Sequence, residues 1–131
     1  MDKYQGYSYG AWVVEMIMKY LCLVYCDEGL MHSLPDSPED AECLAYGQSL
    51  QDAGRILASE ALKSALTATT VRVRGGHMSL TDGPFAETKE QLAGFYLVDA
   101  RDLNEALNIA KGIPAARVGS VEVRPVRELQ P

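Results

Sequence analysis

Thr81-Asp82-Gly83-Pro84-Phe85-Ala86-Glu87-Thr88-Lys89-Glu90-Gln91-Leu92-Ala93-Gly94-Phe95-Tyr96 begins as a turn and ends as a strand. Asp82, Gly83 and Pro84 set three residues with special backbone preferences side by side. A mostly polar run follows, and residues 95–98 are apolar. A plain chain reversal needs about two to five residues. Here about a dozen separate two strand-like segments. Long ordered loops on compact domains often carry function, so this stretch is read as a functional loop between two strands.

Upstream of the loop, residues 69–74 alternate, with Val71 and Val73 on one side and Thr70, Arg72 and Arg74 on the other. Gly75-Gly76 predicts a tight hairpin turn into residues 77–81. Downstream, residues 94–99 read as a strand, and Asp102-Leu103-Asn104-Glu105 has the spacing of a capping box. Leu103, Ala106, Leu107 and Ala110 define one helical face that Gly112 and Pro114 terminate. Residues 118–124 form a last strand, closed by Pro125.

In the first half, residues 19–26 (Lys-Tyr-Leu-Cys-Leu-Val-Tyr-Cys) suit a central strand buried on both faces. Ser37 is the expected N-cap of a helix, with Pro38 at its first position and acids in its first turn. Cys43, Tyr46, Leu50 and Ala53 supply its apolar stripe, and Gly54 ends it. Residues 55–62 are a second strand. The order β-α-β, hairpin, β-α-β predicts an α+β, ferredoxin-like split βαβ domain with an inserted β-hairpin. Its two helices cover one sheet face. Leu21, Leu23 and Phe95 then require cover on the other, which pairing of two sheets across a two-fold axis supplies.

Composition sets the outer bounds. The chain has 131 residues, is 47% hydrophobic and 23% charged, and carries a net charge of −6. That length predicts one domain with a substantial core, not a disordered chain. The acidic balance argues against a nucleic-acid partner. No apolar run reaches the roughly 18–20 residues needed to span a bilayer, so no membrane partner and a cytoplasmic location are expected. Cys22, Cys26 and Cys43 are expected as reduced thiols. Cys22 and Cys26 share a strand face, where buried structural thiols outweigh a metal pair. Residues 1–17 hold Tyr4, Tyr7, Tyr9 and Trp12 without the features of a signal peptide. They are read as a leader or extension before a domain over residues 18–131, with an arm docking on a neighbouring subunit as the alternative.

The run Asp-Gly-Pro-Phe-Ala-Glu-Thr-Lys-Glu-Gln at residues 82–91 closely resembles the signature of the DGPF proteins, a branch of the YCII-related family. Ala68-Thr69-Thr70-Val71-Arg72 and Gly119-Ser120-Val121-Glu122-Val123-Arg124-Pro125 resemble the family's other recurring stretches. The resemblance covers residues 18 to about 126. It implies a dimeric α/β-barrel, the superfamily of muconolactone isomerase-like enzymes and small monooxygenases. It also implies that a cofactor is not required, since such barrels often work from a pocket between helices and sheet. Related YCII proteins carry a helix histidine paired with an aspartate as an acid–base dyad. Here the matching helix reads Glu42-Cys43-Leu44-Ala45-Tyr46, so the dyad is absent.

The candidate chemistry therefore lies elsewhere. Asp82, held by Gly83 and Pro84, is the first candidate general base, with Arg72 or Lys89 as an anion-binding partner; turn capping is its plain alternative. Glu60, in an otherwise apolar strand, is a second carboxylate candidate, with Tyr46 on the facing helix. If Glu60 points toward the helices its pKa should rise; otherwise it is an edge-strand charge. Glu87 in the loop and Arg124 near Pro125 complete the candidate ligand contacts, although Arg124 pairing with Glu122 is the safer expectation. His32 and His77 are read as ordinary exposed histidines. No Gly-x-Gly-x-x-Gly, Walker loop, His-x-x-x-His or Cys-x-x-Cys is present, so no cofactor or metal is expected.

Two functions remain open at this level. One is a cofactor-free acid–base enzyme of a small organic acid or lactone, working near Asp82, Glu60 and Arg72. The other is a non-catalytic dimer that binds a metabolite or a protein. Proteins of this branch are often encoded beside extracytoplasmic-function sigma factors, so the resemblance adds a regulatory role to the second.

Overall fold

The computed structural model describes residues 18–131; the proposed leader, residues 1–17, lies outside them. The chain runs β1 (Met18–Cys26), α1 (Asp40–Asp52), β2 (Ile56–Ala61), β3 (Thr69–Arg74), β4 (His77–Asp82), β5 (Gln91–Ala100), α2 (Leu103–Gly112) and β6 (Ser120–Pro125). β2, β5, β1 and β6 lie side by side, in that order, as one antiparallel sheet. β3 and β4 form a separate two-stranded ribbon. This is the ferredoxin-like α+β arrangement with an inserted hairpin that the element order predicts.

Alternation along β1 sorts its side chains. Tyr20, Cys22, Val24 and Cys26 are buried, while Lys19, Leu21, Leu23 and Tyr25 between them are half-buried. Within one chain only one face of β1 meets the helices. On that face β1 and β5 combine with Leu50 of α1 and with Ala106, Ile109 and Ala110 of α2 into the core. α2 buries Ala106, Ile109 and Ala110, while Leu103 and Leu107 of the expected face are exposed; α1 buries only Leu50. The outer face presents Leu21, Leu23, Phe95 and Leu97 in adjacent register.

Helix termini obey the sequence in part. Asp102 accepts from the Glu105 N–H at 2.9 Å, as the capping box predicts. Glu105 does not return the bond; its carboxylate holds Arg55 and Arg101 instead. Ser37 is not the N-cap of α1. Its hydroxyl donates to the Met31 carbonyl, and the cap is Glu39, which makes no side-chain capping bond. Gly75 and Gly76, with φ of 56° and 77°, form the hairpin turn, a pair of left-handed residues that glycine adopts without steric cost.

β5 begins at Gln91, three residues before the expected start, so the loop spans only residues 83–90. Its base is clasped: the Gly83 N–H donates to the Ala68 carbonyl at 2.7 Å, and the Thr70 hydroxyl donates to the Gly83 carbonyl at 2.8 Å. At its far end the Ser120 hydroxyl donates to Glu90 at 2.7 Å, which ties the loop to β6.

Candidate ligand cleft

Between α1 and the edge strand β2 the molecule opens into a cleft of about 1090 Å³. Its position follows from what α1 leaves out. Cys43 and Gly47 lie one turn apart on the helix, on the same side, and both line the cleft. A Cβ at Gly47 would meet nothing within 4 Å. A helix that offers one small thiol and one missing side chain toward the sheet leaves room for a ligand.

The sheet supplies the opposite wall. Tyr96 sits in register with Cys22 on one side and Ser59 on the other, on the face that carries the helices. Its ring meets that of Tyr46 edge-on, with centroids 6.4 Å apart, the arrangement that aromatic quadrupoles favour. Burial pushes the Tyr96 phenol above its usual pKa, with the Cys43, Tyr46 and Cys22 groups adding to it. Burial likewise raises the Cys43 thiol, and Asp40 and Glu42 add to the rise against the opposing pull of Arg117. Both groups are therefore protonated at neutral pH. They suit hydrogen-bond donation better than nucleophilic attack, which needs a thiolate.

The residues expected to act together are spread apart. Asp82 is exposed at the end of β4, opposite Thr69, whereas Arg72 is opposite Ser79. Three residues separate the two along the ribbon, about 10 Å at the usual strand rise, and odd spacing puts them on opposite faces. The expected approach of the Arg72 guanidinium to Asp82 does not occur. Glu87 and Lys89 are exposed on the loop, and neither lines the cleft. Arg124 pairs with Glu122 at 2.5 Å, which was the safer expectation.

Glu60 borders the cleft from β2, but its register partner is Phe95, so its side chain belongs to the outer sheet face. It is exposed, an edge-strand charge and not a carboxylate turned toward the helices. Tyr46 stands behind the cleft wall, where its hydroxyl donates to the Ile109 carbonyl at 2.6 Å. Of the seven sequence candidates, Glu60 alone borders the cleft.

Sequence reasoning passed over Tyr96 and treated Cys43 only as a core thiol. Parity with Gly94 and Val98 along β5 would have placed Tyr96 on the helix side. It also passed over Glu28. That carboxylate accepts from the Ala65 N–H at 2.7 Å and the Ser64 hydroxyl at 2.6 Å, anchoring the β2–β3 connection beside the cleft. These two bonds, the Ala65 N–H first, hold its pKa below the ordinary value. A contact across 36 residues leaves no local signal.

Comparison with known proteins adds the family. The model of the YCII-related domain matches residues 18–130. An uncharacterized protein of Rhizobium meliloti is 36% identical over 119 residues, covering 87% of this chain and 96% of that protein.

Proposed function

Because this chain belongs to the YCII-related domain family, we propose that it works as a dimeric binding module that takes one small organic molecule in the α1–β2 cleft. The single observation that carries this reading is the dispersal of the charged candidates. Asp82, Arg72, Glu87 and Lys89 do not line the cleft, and Glu60 is in register with the outer face. The cleft lining combines neutral groups, the Tyr96 phenol, the Cys43 thiol and the Ser59 hydroxyl, with the carboxylates of Glu28, Asp40 and Glu60 at its borders. Such a site suits a ligand with an apolar body and an acceptor atom for Tyr96, since small-molecule sites are mostly apolar with a few placed polar groups.

The dimer pairs the outer sheet faces, burying Leu21, Leu23, Phe95 and Leu97 against their counterparts across a two-fold axis. A metabolite-sensing dimer of this kind fits a regulatory role.

A thermal-shift screen with small carboxylic acids, lactones and neutral aromatic compounds tests the reading. Ligand at 100 times its Kd adds about 2.7 kcal/mol of apparent stability. The expected shift disappears in Gly47→Phe, which fills the cleft. A shift that survives Gly47→Phe would move the site elsewhere. Turnover of a lactone that Tyr96→Phe abolishes would favour the enzyme over the binding module.

A further inference from the structure

We propose that the α1–β2 cleft selects an organic cation, a small ammonium on an apolar body, over a neutral or anionic molecule of the same shape. The proposal rests on the reading of that cleft as a binding site and adds the charge of what it binds.

Carboxylates reach the cleft from three parts of the chain. Asp40 stands in the first turn of α1, Glu28 in the loop after β1, and Glu60 on β2. Among the described residues no lysine or arginine lines the cleft, and His32 is the sole basic side chain there. The neighbouring cations are held elsewhere. Arg117 binds both Glu42 oxygens, at 2.6 and 3.0 Å, and Arg55 holds Glu105. Lys63, between the lining residues Leu62 and Ser64, is exposed and does not line the cleft.

Two thiols in the wall register the resulting field. Burial first, then Asp40 and Glu42, push the Cys43 thiol up against the pull of Arg117. Burial first, then Glu28, Glu90 and Asp27, push Cys26 up. Different acids act at the two positions, so the negative potential does not come from one side chain. Low-dielectric walls concentrate such a potential inside a cleft.

An ammonium group carries three donors and no acceptor, so it needs oxygens as well as charge. The β2 edge supplies them. The Leu62 N–H donates to the Ala93 carbonyl at 2.8 Å, and bonding direction alternates along an antiparallel strand. Ala58 and Glu60 therefore bond toward β5, while Ser59 and Ala61 turn their carbonyls away from it at the cleft border. The Tyr96 oxygen accepts as well as donates, and an aromatic ring face attracts cations. Glu28 is already fixed by its bonds from Ala65 and Ser64. Each of its oxygens keeps a further acceptor site, and little ordering remains to be done on binding.

Cys43 reports the charge preference without a known ligand. Its modification at pH 8 is followed by mass spectrometry with two methanethiosulfonates, the cationic ethyltrimethylammonium and the anionic ethylsulfonate. Each rate is divided by that with 2-mercaptoethanol. The thiolate fraction is common to both reagents and cancels in their ratio. The ratio should favour the cation by about tenfold at 50 mM NaCl, approach one at 500 mM, and fall in Asp40→Asn, which leaves the Glu28 bonds in place. Added 2-phenylethylamine should protect Cys43 more than 2-phenylethanol or phenylacetate at the same concentration. A ratio near one at 50 mM NaCl, a ratio favouring the anion, or equal protection by the three compounds overturns the cation preference. If Gly47→Phe then slows both reagents alike, the cleft reading outlives that failure. If Gly47→Phe leaves both rates unchanged, the cleft reading fails and the proposal with it.

Discussion

The Tyr46 hydroxyl donates to the Ile109 carbonyl at 2.6 Å, joining the middle of α1 to the last turn of α2. Carbonyls in a final helical turn have no intrahelical donor, so Tyr46 satisfies a group that would otherwise be stranded. Gly112 makes the approach feasible: a Cβ there would lie 2.6 Å from that hydroxyl. This contact turns a candidate ligand residue into the tie between the two helices.

Tyr46→Phe should therefore lower stability by about 1 kcal/mol, the worth of one hydrogen bond, while ligand affinity in the cleft stays within twofold. Urea denaturation alongside the thermal-shift assay checks both. A large affinity loss without a stability loss would return Tyr46 to the site.

Gly47 gives the opposite sign. It lies inside α1 with open space around its Cβ position. Gly47→Ala should stabilise the protein by about 0.5–1 kcal/mol through helix propensity, and Gly47→Phe should retain the fold while blocking the cleft. Denaturant midpoints measure the first effect and ligand-induced shifts the second.

Asp82→Asn tests the loop. Asp82 is exposed and off the cleft, so the change should cost less than about 1 kcal/mol and leave cleft binding unaltered. A tenfold fall in binding would instead make the loop part of the site.

The three cysteines should react in a fixed order with a thiol reagent at pH 8. Cys22 is fully buried, with its pKa pushed up to about 11 by burial. Cys26 is buried and raised by burial and by Glu28, Glu90 and Asp27. Cys43, half-buried at the cleft wall, should label first, more slowly than a free cysteine, and a bound ligand should protect it. Mass spectrometry of labelled peptides reports the order.

Acid should loosen two tethers. Glu28, bonded by Ala65 and Ser64, and Glu42, bonded by Arg117, both have folded pKa values below the ordinary 4.5. Depressed carboxyls contribute stability that is present above the unfolded pKa and lost as pH falls through the folded one. Urea midpoints should thus drop below about pH 4.5, and Glu28→Gln/Glu42→Gln should flatten that drop.

Much of the fold was legible because its signals are local. Gly75-Gly76 specified the hairpin turn, Asp102 capped α2, and the alternation of residues 69–74 separated Val71 and Val73 from Arg72 and Arg74. Where a local rule met a competing contact it failed. Ser37 had the residue type of an N-cap but found the Met31 carbonyl first.

The sequence by itself determined the order of elements, the turn types and the family, since these depend on residues within one turn or one period of each other. Only the tertiary structure decided which residues meet. Asp82 and Arg72 look adjacent along a hairpin, yet antiparallel register sends them to opposite faces. Glu60 and Tyr96 both edge one cleft, yet strand parity separates their side chains. Register is set by hydrogen bonds between segments far apart in the chain, and a shift of one residue exchanges every side chain between the two faces. The site therefore depends on a pairing that no local stretch encodes.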